Sequence, residues 1–251
     1  MQEQCSHLLT VLTETWTMIG MAGTPRDRAR VQTMNEIVRI GRHHLATEGA
    51  AALSLRAVAR DLGVVSSAVY RYVKSRDELL TLLLVDGYDE LGDAVDAAVA
   101  DVAADDYVGR QAAIGRAVRA WGLAEPATYA LLFGSPVPGY EAPAERTMGP
   151  GTRVVRALVT LWSEAYAAGR FAPPTLEVTS PGLAAAFDQV RDELGVPLPG
   201  GVLAAGVFGW AALFGCVSFE IFGQYGSDAL GDPAALFEHH LDLLAHAVGL
   251  S

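Results

Sequence analysis

Hydroxyl and guanidinium donors gather on two short amphipathic stretches around Gly63, in the run Ser54-Leu-Arg-Ala-Val-Ala-Arg-Asp-Leu-Gly-Val-Val-Ser-Ser-Ala-Val-Tyr-Arg-Tyr-Val-Lys-Ser-Arg-Asp-Glu-Leu79. In the first stretch Leu55, Val58, Ala59 and Leu62 fall at i, i+3, i+4 and i+7, one face of a helix. Ser54 is placed to cap it, and Gly63 to end it where positive φ costs glycine little. The second stretch spans about Ser66 to Tyr72, with Ala68 and Val69 as its buried side. That leaves Ser66, Ser67, Tyr70, Arg71 and Tyr72 to reach outward. Ser75-Arg-Asp-Glu78 is a capping box opening a much longer helix. Two short helices joined at a glycine turn fit a helix-turn-helix, whose chemistry is hydrogen bonding to phosphates and base edges. They also fit three ordinary helices of an all-α core.

The charge distribution corroborates the first of these readings, although a solvated surface face would also carry such a charge. The chain of 251 residues carries a net charge of −11, which by itself disfavours a nucleic-acid partner. By region the balance inverts: residues 26–78 hold ten Lys/Arg against six acids, whereas residues 79–251 hold eight arginines against 21 acids. A basic head on an acidic body suits a protein that touches phosphate at one end only.

Over residues 37–84 the chain resembles the DNA-binding domain of the tetracycline-repressor (TetR) family of one-component regulators. The resemblance rests on Ile37 and Leu45, Glu48-Gly49, Leu53-Ser54-Leu55, Val58-Ala59-Arg60-Asp61-Leu62-Gly63-Val64, Val69-Tyr70-Arg71-Tyr72-Val73 and Ser75-Arg76-Asp77-Glu78-Leu79-Leu80. These stand at consecutive spacings across nearly a fifth of the chain. Two departures stand out: Val65 replaces the serine that usually caps the second helix, so that Ser66 is expected to cap it one residue later, and Tyr72-Val73 replaces His-Phe. The resemblance implies that Ser54, Tyr70, Tyr72 and Arg76 hold the DNA backbone. It leaves Ser66, Ser67 and Arg71 to meet base edges in the major groove, with Arg71 the best donor to a guanine. Small serines make few base-specific bonds, so part of the specificity falls to DNA shape. Arg26, Arg28 and Arg30, just before the first helix, read equally as a flexible DNA-contacting arm or a solvated basic linker.

The elements behind these residues are all helical, and alternation of the kind that writes strands is absent. The expected fold class is all-α: a three-helix head over 26–80, and a helical effector-binding and dimerisation body over 81–251. Residues 1–25 read as a disordered N-terminal extension. Leu80, Leu83, Leu84, Gly87, Leu91, Ala94 and Val95 give the helix from Arg76 to about Val99 one apolar stripe, so it bridges head and body. Further helices are expected near 108–123, 126–133, 150–168, 181–193, 203–222 and 233–248. Pro233 sits at the first position of the last one and Gly249 at its stop.

The resemblance also implies a homodimer built from the last two helices, as operators with two-fold symmetry require. Phe208, Phe214, Phe219, Phe237, Leu241 and Leu244 are the apolar stock for that interface. The stretch from Trp121 to Tyr140, with Trp162 and Tyr166, resembles the body of an actinobacterial-type subgroup. Such a body encloses a small hydrophobic or amphipathic effector, for which Trp121, Tyr129, Phe133, Trp162, Tyr166 and Phe187 are the candidate liners. Taken singly, each is as well explained as a core aromatic. The expected function is an operator-binding repressor released by its effector. A helical enzyme and an effector-independent DNA-binding protein are the rival classes.

Catalysis finds little support in the residues. His43-His44 and His239-His240 are adjacent pairs splayed about 100° apart on a helix, read as surface residues rather than ligands. Cys5 and Cys216 are too few and too distant for a zinc site, and Cys216 reads as a buried free thiol. No metal and no cofactor is expected. The uncharged run from Leu194 to Phe219 is long enough to raise a membrane span. Its Pro/Gly-rich first third, the lack of flanking Lys/Arg and the closing Glu220 favour a buried helix instead. Residues 1–25 lack the features of a signal peptide, so a cytoplasmic location is expected. Met21 makes the first twenty residues a candidate upstream start-site extension.

Overall fold

In the computed structural model, residues 24–172, 177–226 and 230–251 are described. Helix follows helix without a strand among these residues, and only an isolated bridge pairs Phe171 with Leu250. The head is built from α1 (Pro25–Glu48), α2 (Leu55–Asp61) and α3 (Ser66–Val69). A single turn of 3-10 helix at Ala50–Ala52 joins α1 to α2. The bridging helix α4 (Arg76–Ala100) follows. The body comprises α5 (Tyr107–Ala124), α6 (Pro126–Phe133), α7 (Ala144–Gly151), α8 (Arg153–Ala167), α9 (Pro181–Leu194), α10 (Gly200–Ile221) and α11 (Pro233–Val248).

Local chemistry sets most boundaries. Thr24 accepts from the Asp27 amide while Asp27 accepts from the Thr24 amide, a complete capping box in front of Pro25. Arg26, Arg28 and Arg30 are therefore turns of α1 and not a flexible arm. Of the extension expected over 1–25, all but Thr24 and Pro25 lies outside the described residues, as do Cys5 and Met21. Proline opens α6, α9 and α11 at the first turn, where its missing N–H costs nothing. Ser75 caps α4 by accepting from Glu78 N at 3.1 Å, but the Glu78 carboxylate takes the Lys74 amide rather than returning to Ser75. The helix expected over 150–168 divides: α7 runs through Pro150, and the chain breaks at Thr152 before α8.

Two apolar clusters fill the molecule. Ile37, Leu45, Leu55, Val58, Val69, Val73 and Leu79 close the head, where Leu80 and Leu83 of α4 also belong. Leu91, Ile114, Val118, Trp121, Tyr129, Leu161, Trp162, Leu213 and Leu241 are among the residues that close the body. α4 packs on α1 at one end and on α5, α6, α7 and α8 farther along. One rigid rod of 25 residues thus takes part in both cores. Gly87 allows a close approach of α6: a Cβ there would stand 2.6 Å from the buried Thr128 methyl. α10, of mean hydropathy 2.0, is long and apolar enough to cross a membrane, yet only a third of its apolar window is buried.

Candidate nucleic-acid interface and effector site

Leu55, Val58 and Ala59 anchor α2 in the head core, and Val69 and Val73 anchor α3 and the turn behind it. Gly63 supplies the tight connection at φ 73°. The second helix is shorter than its sequence suggests: regular helix covers Ser66–Val69, and Tyr70 to Tyr72 continue as a turn in which Tyr72 N reaches Val69 O at 2.8 Å. Ser66 does not cap α3. Val65 holds the cap position with no side-chain bond, because Ser66 already has helical backbone. Ser54 holds the cap position of α2, but its hydroxyl takes no helix amide.

Of the side chains expected to reach outward, those of Ser67, Tyr70 and Arg71 are exposed, Tyr70 at 44%. Ser54, Ser66 and Tyr72 are half-buried. Arg30 of α1 lies over the Tyr72 ring, 5.4 Å from its centre, which brings the basic start of α1 beside this face. Arg56 and Lys74 are exposed as well and extend the positive rim. Arg76 departs from its expected place at the DNA backbone. Its Nη2 donates to Ala50 O at 2.9 Å, so the guanidinium clamps the 3-10 turn to the start of α4.

Polar contacts inside the head hold this face. His44 is buried, contrary to its reading as a surface residue, and its Nε2 meets Asp61 Oδ2 at 2.6 Å. That bond, ahead of one from Arg60, holds the Asp61 carboxyl below its ordinary range. Farther up α1, Arg42 faces three carboxylates. Nη1 is 3.0 Å from Asp86 Oδ2, Nη2 is 2.6 Å from Glu90 Oε2 and 3.0 Å from Glu125 Oε2, and Nη1 also pairs with Glu90 Oε1. Asp86 and Glu90 belong to α4, and Glu125 joins α5 to α6. Trp121 Nε1 lies 3.4 Å from the same Glu90 oxygen, so the contact chain runs from the body core to the head.

In the body the six expected effector liners fall in different places. Trp121, Tyr129 and Phe133 form one row, with ring centres 6.4 and 5.0 Å apart. Phe133 then meets Phe214 at 4.6 Å. The Tyr129 hydroxyl shares a hydrogen with Ser218 Oγ at 2.9 Å, and burial raises its pKa. At the end of this row lies a cavity of about 20 Å³ lined by Tyr88 and Leu91 of α4, Phe133, Val154, Trp210 and Phe214. Trp162 is separate, donating to Gln111 Oε1 at 2.8 Å in the interior. Phe187 borders a third place, an open depression of about 450 Å³ between α9 and the start of α10. Tyr166 is half-buried against the body core. Sequence alone did not single out Tyr88 or Trp210, because their neighbours come from helices distant in the chain.

The apolar stock expected for the dimer interface also divides. Phe208 and Phe219 are 60% and 53% exposed, whereas Phe237, Leu241 and Leu244 are buried within this chain's own core. Phe214 is half-buried and turned to the cavity. The exposed large apolar residues of α10 and α11 are Val207, Phe208, Trp210, Phe219 and Leu243, with Phe222 just past the end of α10. Cys216 is half-buried rather than buried, with its thiol pKa pushed up by burial. Among the described residues no group of three His, Cys, Asp or Glu side chains gathers as a metal site.

Comparisons with known proteins follow the same division. A family described as "Bacterial regulatory proteins, tetR family" matches residues 37–83, and "Tetracyclin repressor-like, C-terminal domain" matches residues 111–244. The HTH-type transcriptional regulator Rv1816 of Mycobacterium tuberculosis is 49% identical over 222 residues, covering 88% of this chain and 94% of that protein. The crystal structure of the regulatory protein SCO4313 is similar at a TM-score of 0.71 and 36% identity, covering 89% of this chain and all of the other. A Rhodococcus protein of unknown function shares the fold at a TM-score of 0.65 and 20% identity, over 86% and 94% of the two chains. Matched in both head and body, the chain belongs to the TetR family of bacterial transcriptional regulators, of actinobacterial type, and is a DNA-binding regulator rather than an enzyme.

Proposed function

We propose that the chain is a cytoplasmic repressor that binds operator DNA as a homodimer and is released by a small hydrophobic or amphipathic effector. Ser66, Ser67 and Arg71 meet base edges, while Ser54, Tyr70 and Tyr72 hold the backbone. The observation that carries this reading is the position of α4. Its Glu90 is bound to the head through Arg42, and its Tyr88 and Leu91 line the aromatic cavity of the body. A ligand that widens the cavity acts on the same rod that positions the head. Release then requires only that the ligand bind one arrangement of α4 more tightly than the other.

The test is a fluorescence-anisotropy titration of the full chain on its own upstream intergenic DNA at two salt concentrations. The expected result is sequence-specific binding that weakens with salt, with Arg71→Ala and Tyr70→Phe both reducing affinity. Binding no tighter than to random DNA, unchanged by either substitution, would sink the assignment of this face. A second reading, an effector-independent DNA-binding protein, is favoured by the small cavity, whose roughly 20 Å³ has room for about one water. A thermal-shift screen of hydrophobic and amphipathic compounds separates the two: a stabilising compound that also lowers operator affinity supports the effector.

A further inference from the structure

We propose that Val65, with Val64 beside it, reads the C5 methyl group of a thymine in the operator. The proposal rests on the assignment of α3 to the major groove and names an apolar component of its specificity.

Val65 is 71% exposed and Val64 is 40% exposed, on an otherwise polar surface that carries Ser67, Tyr70 and Arg71. Neither side chain's exposure is explained by the fold. Val65 stands at the cap position of α3, where an oxygen-bearing side chain would accept from a free helix amide. Valine makes no such bond, so the position forgoes a local stabilisation and presents an isopropyl group to solvent. The backbone around it is fixed on both sides, by Val64 N to Ala59 O at 3.0 Å and Ala68 N to Val65 O at 2.9 Å. β-Branching restricts the side chain further. The result is a preorganised apolar knob among hydrogen-bond donors. Base-pair edges in the major groove present donors and acceptors at every pair, and their apolar feature is the thymine methyl. The small serines of α3 make few base-specific bonds, and a valine–methyl contact supplies discrimination that they lack.

The experiment uses the full chain and an operator duplex selected by it from random duplexes. Each thymine is replaced in turn by deoxyuridine, which removes the C5 methyl and leaves every hydrogen-bonding group in place. One thymine of the half-site is expected to lose about fourfold in affinity on replacement, the effect of one buried methyl group. Val65→Ala is expected to bind the thymine and deoxyuridine duplexes equally at that position, with an unchanged circular-dichroism melt. Val65→Ser should behave likewise while melting no lower than the native chain. The proposal is overturned if no deoxyuridine weakens binding, or if Val65→Ala shows the same loss as the native protein. Failure to enrich any duplex would overturn the DNA-reading assignment itself, an outcome distinct from indifference to the methyl.

Discussion

Glu90 on the bridging helix uses one carboxylate for two partners: its Oε2 receives Arg42 Nη2 from the head at 2.6 Å and lies 3.4 Å from Trp121 Nε1 of the body. Head and body thus share a polar joint at the middle of α4. Asp86 and Glu125 complete the ring around the one guanidinium.

Removing that cation should loosen the joint. Arg42→Met leaves three carboxylates facing one another with no positive charge between them. Arg42 is mostly shielded but its partners are partly exposed, so the loss falls between exposed and buried pairs, at about 1–2 kcal/mol. The melting temperature is expected to fall by about 2–8 °C. In a calorimetric scan an unchanged melt would mean that the joint contributes nothing to stability.

The same joint predicts a specific acid response. Arg42 holds Glu90 below its ordinary 4.5 by hydrogen bonding. A carboxyl depressed in the folded state contributes stability that is present above that ordinary value and lost as pH falls through the folded one. Asp86 is shifted the other way, because burial outweighs its contact with Arg42 and lifts it above 3.8. Its contribution is fullest below that value and lost as pH rises through the folded one. Glu90→Gln should therefore melt lower at neutral pH, and converge with the native chain only in acid, as pH falls through the depressed folded value of Glu90. Asp86→Asn should melt at least as high as the native chain at neutral pH and lose that advantage in acid. Parallel melting curves for all three proteins across the range would contradict the assignment.

How much of this was legible beforehand depended on whether the signal was local. The bounds of α6 and α11 follow from Pro126, Pro233 and Gly249, residues whose backbone constraints act in place. The head pattern around Gly63 was equally plain, although Val65 in the cap position and the turn after Val69 left α3 shorter than its apolar spacing implied. Contacts between distant segments were not legible. Nothing near His44 announces Asp61, and nothing near Arg76 announces the Ala50 carbonyl. α10 was the hardest case: a helix apolar on every side carries no direction, so Phe208 and Phe214 looked alike, though only one is strongly exposed.

Close packing between α4 and α6 gives a third prediction. Gly87→Ala would put a methyl 2.6 Å from Thr128 Cγ2 and 3.1 Å from Leu132, with Thr128 almost fully buried. Overpacking of this kind costs about 1–3 kcal/mol, against a helix-propensity gain of up to about 1 kcal/mol. A net loss is expected, measured by chemical denaturation. Because the clash tilts α4 relative to α6, operator affinity should change as well. A variant as stable as the native chain would show that the two helices are free to separate.

The exposed face of α10 and α11 gives the last prediction, resting on the homodimer proposed above. Val207, Phe208, Phe219, Phe222 and Leu243 are too many large apolar groups to leave in water, and apolar patches of this kind mark association surfaces. Phe208→Glu places a charge on that face without touching the body core. It should give a folded monomer by sedimentation and weaken operator binding by at least about tenfold, because one head alone holds only one half-site. Leu241→Ala supplies the contrast. Leu241 is buried in the chain's own core, so its truncation should cost about 2–5 kcal/mol of stability. If Phe208→Glu sediments as the native protein does, these helices do not form the interface. If Leu241→Ala dissociates the protein without destabilising it, the division between exposed and buried residues on this helix pair is wrong.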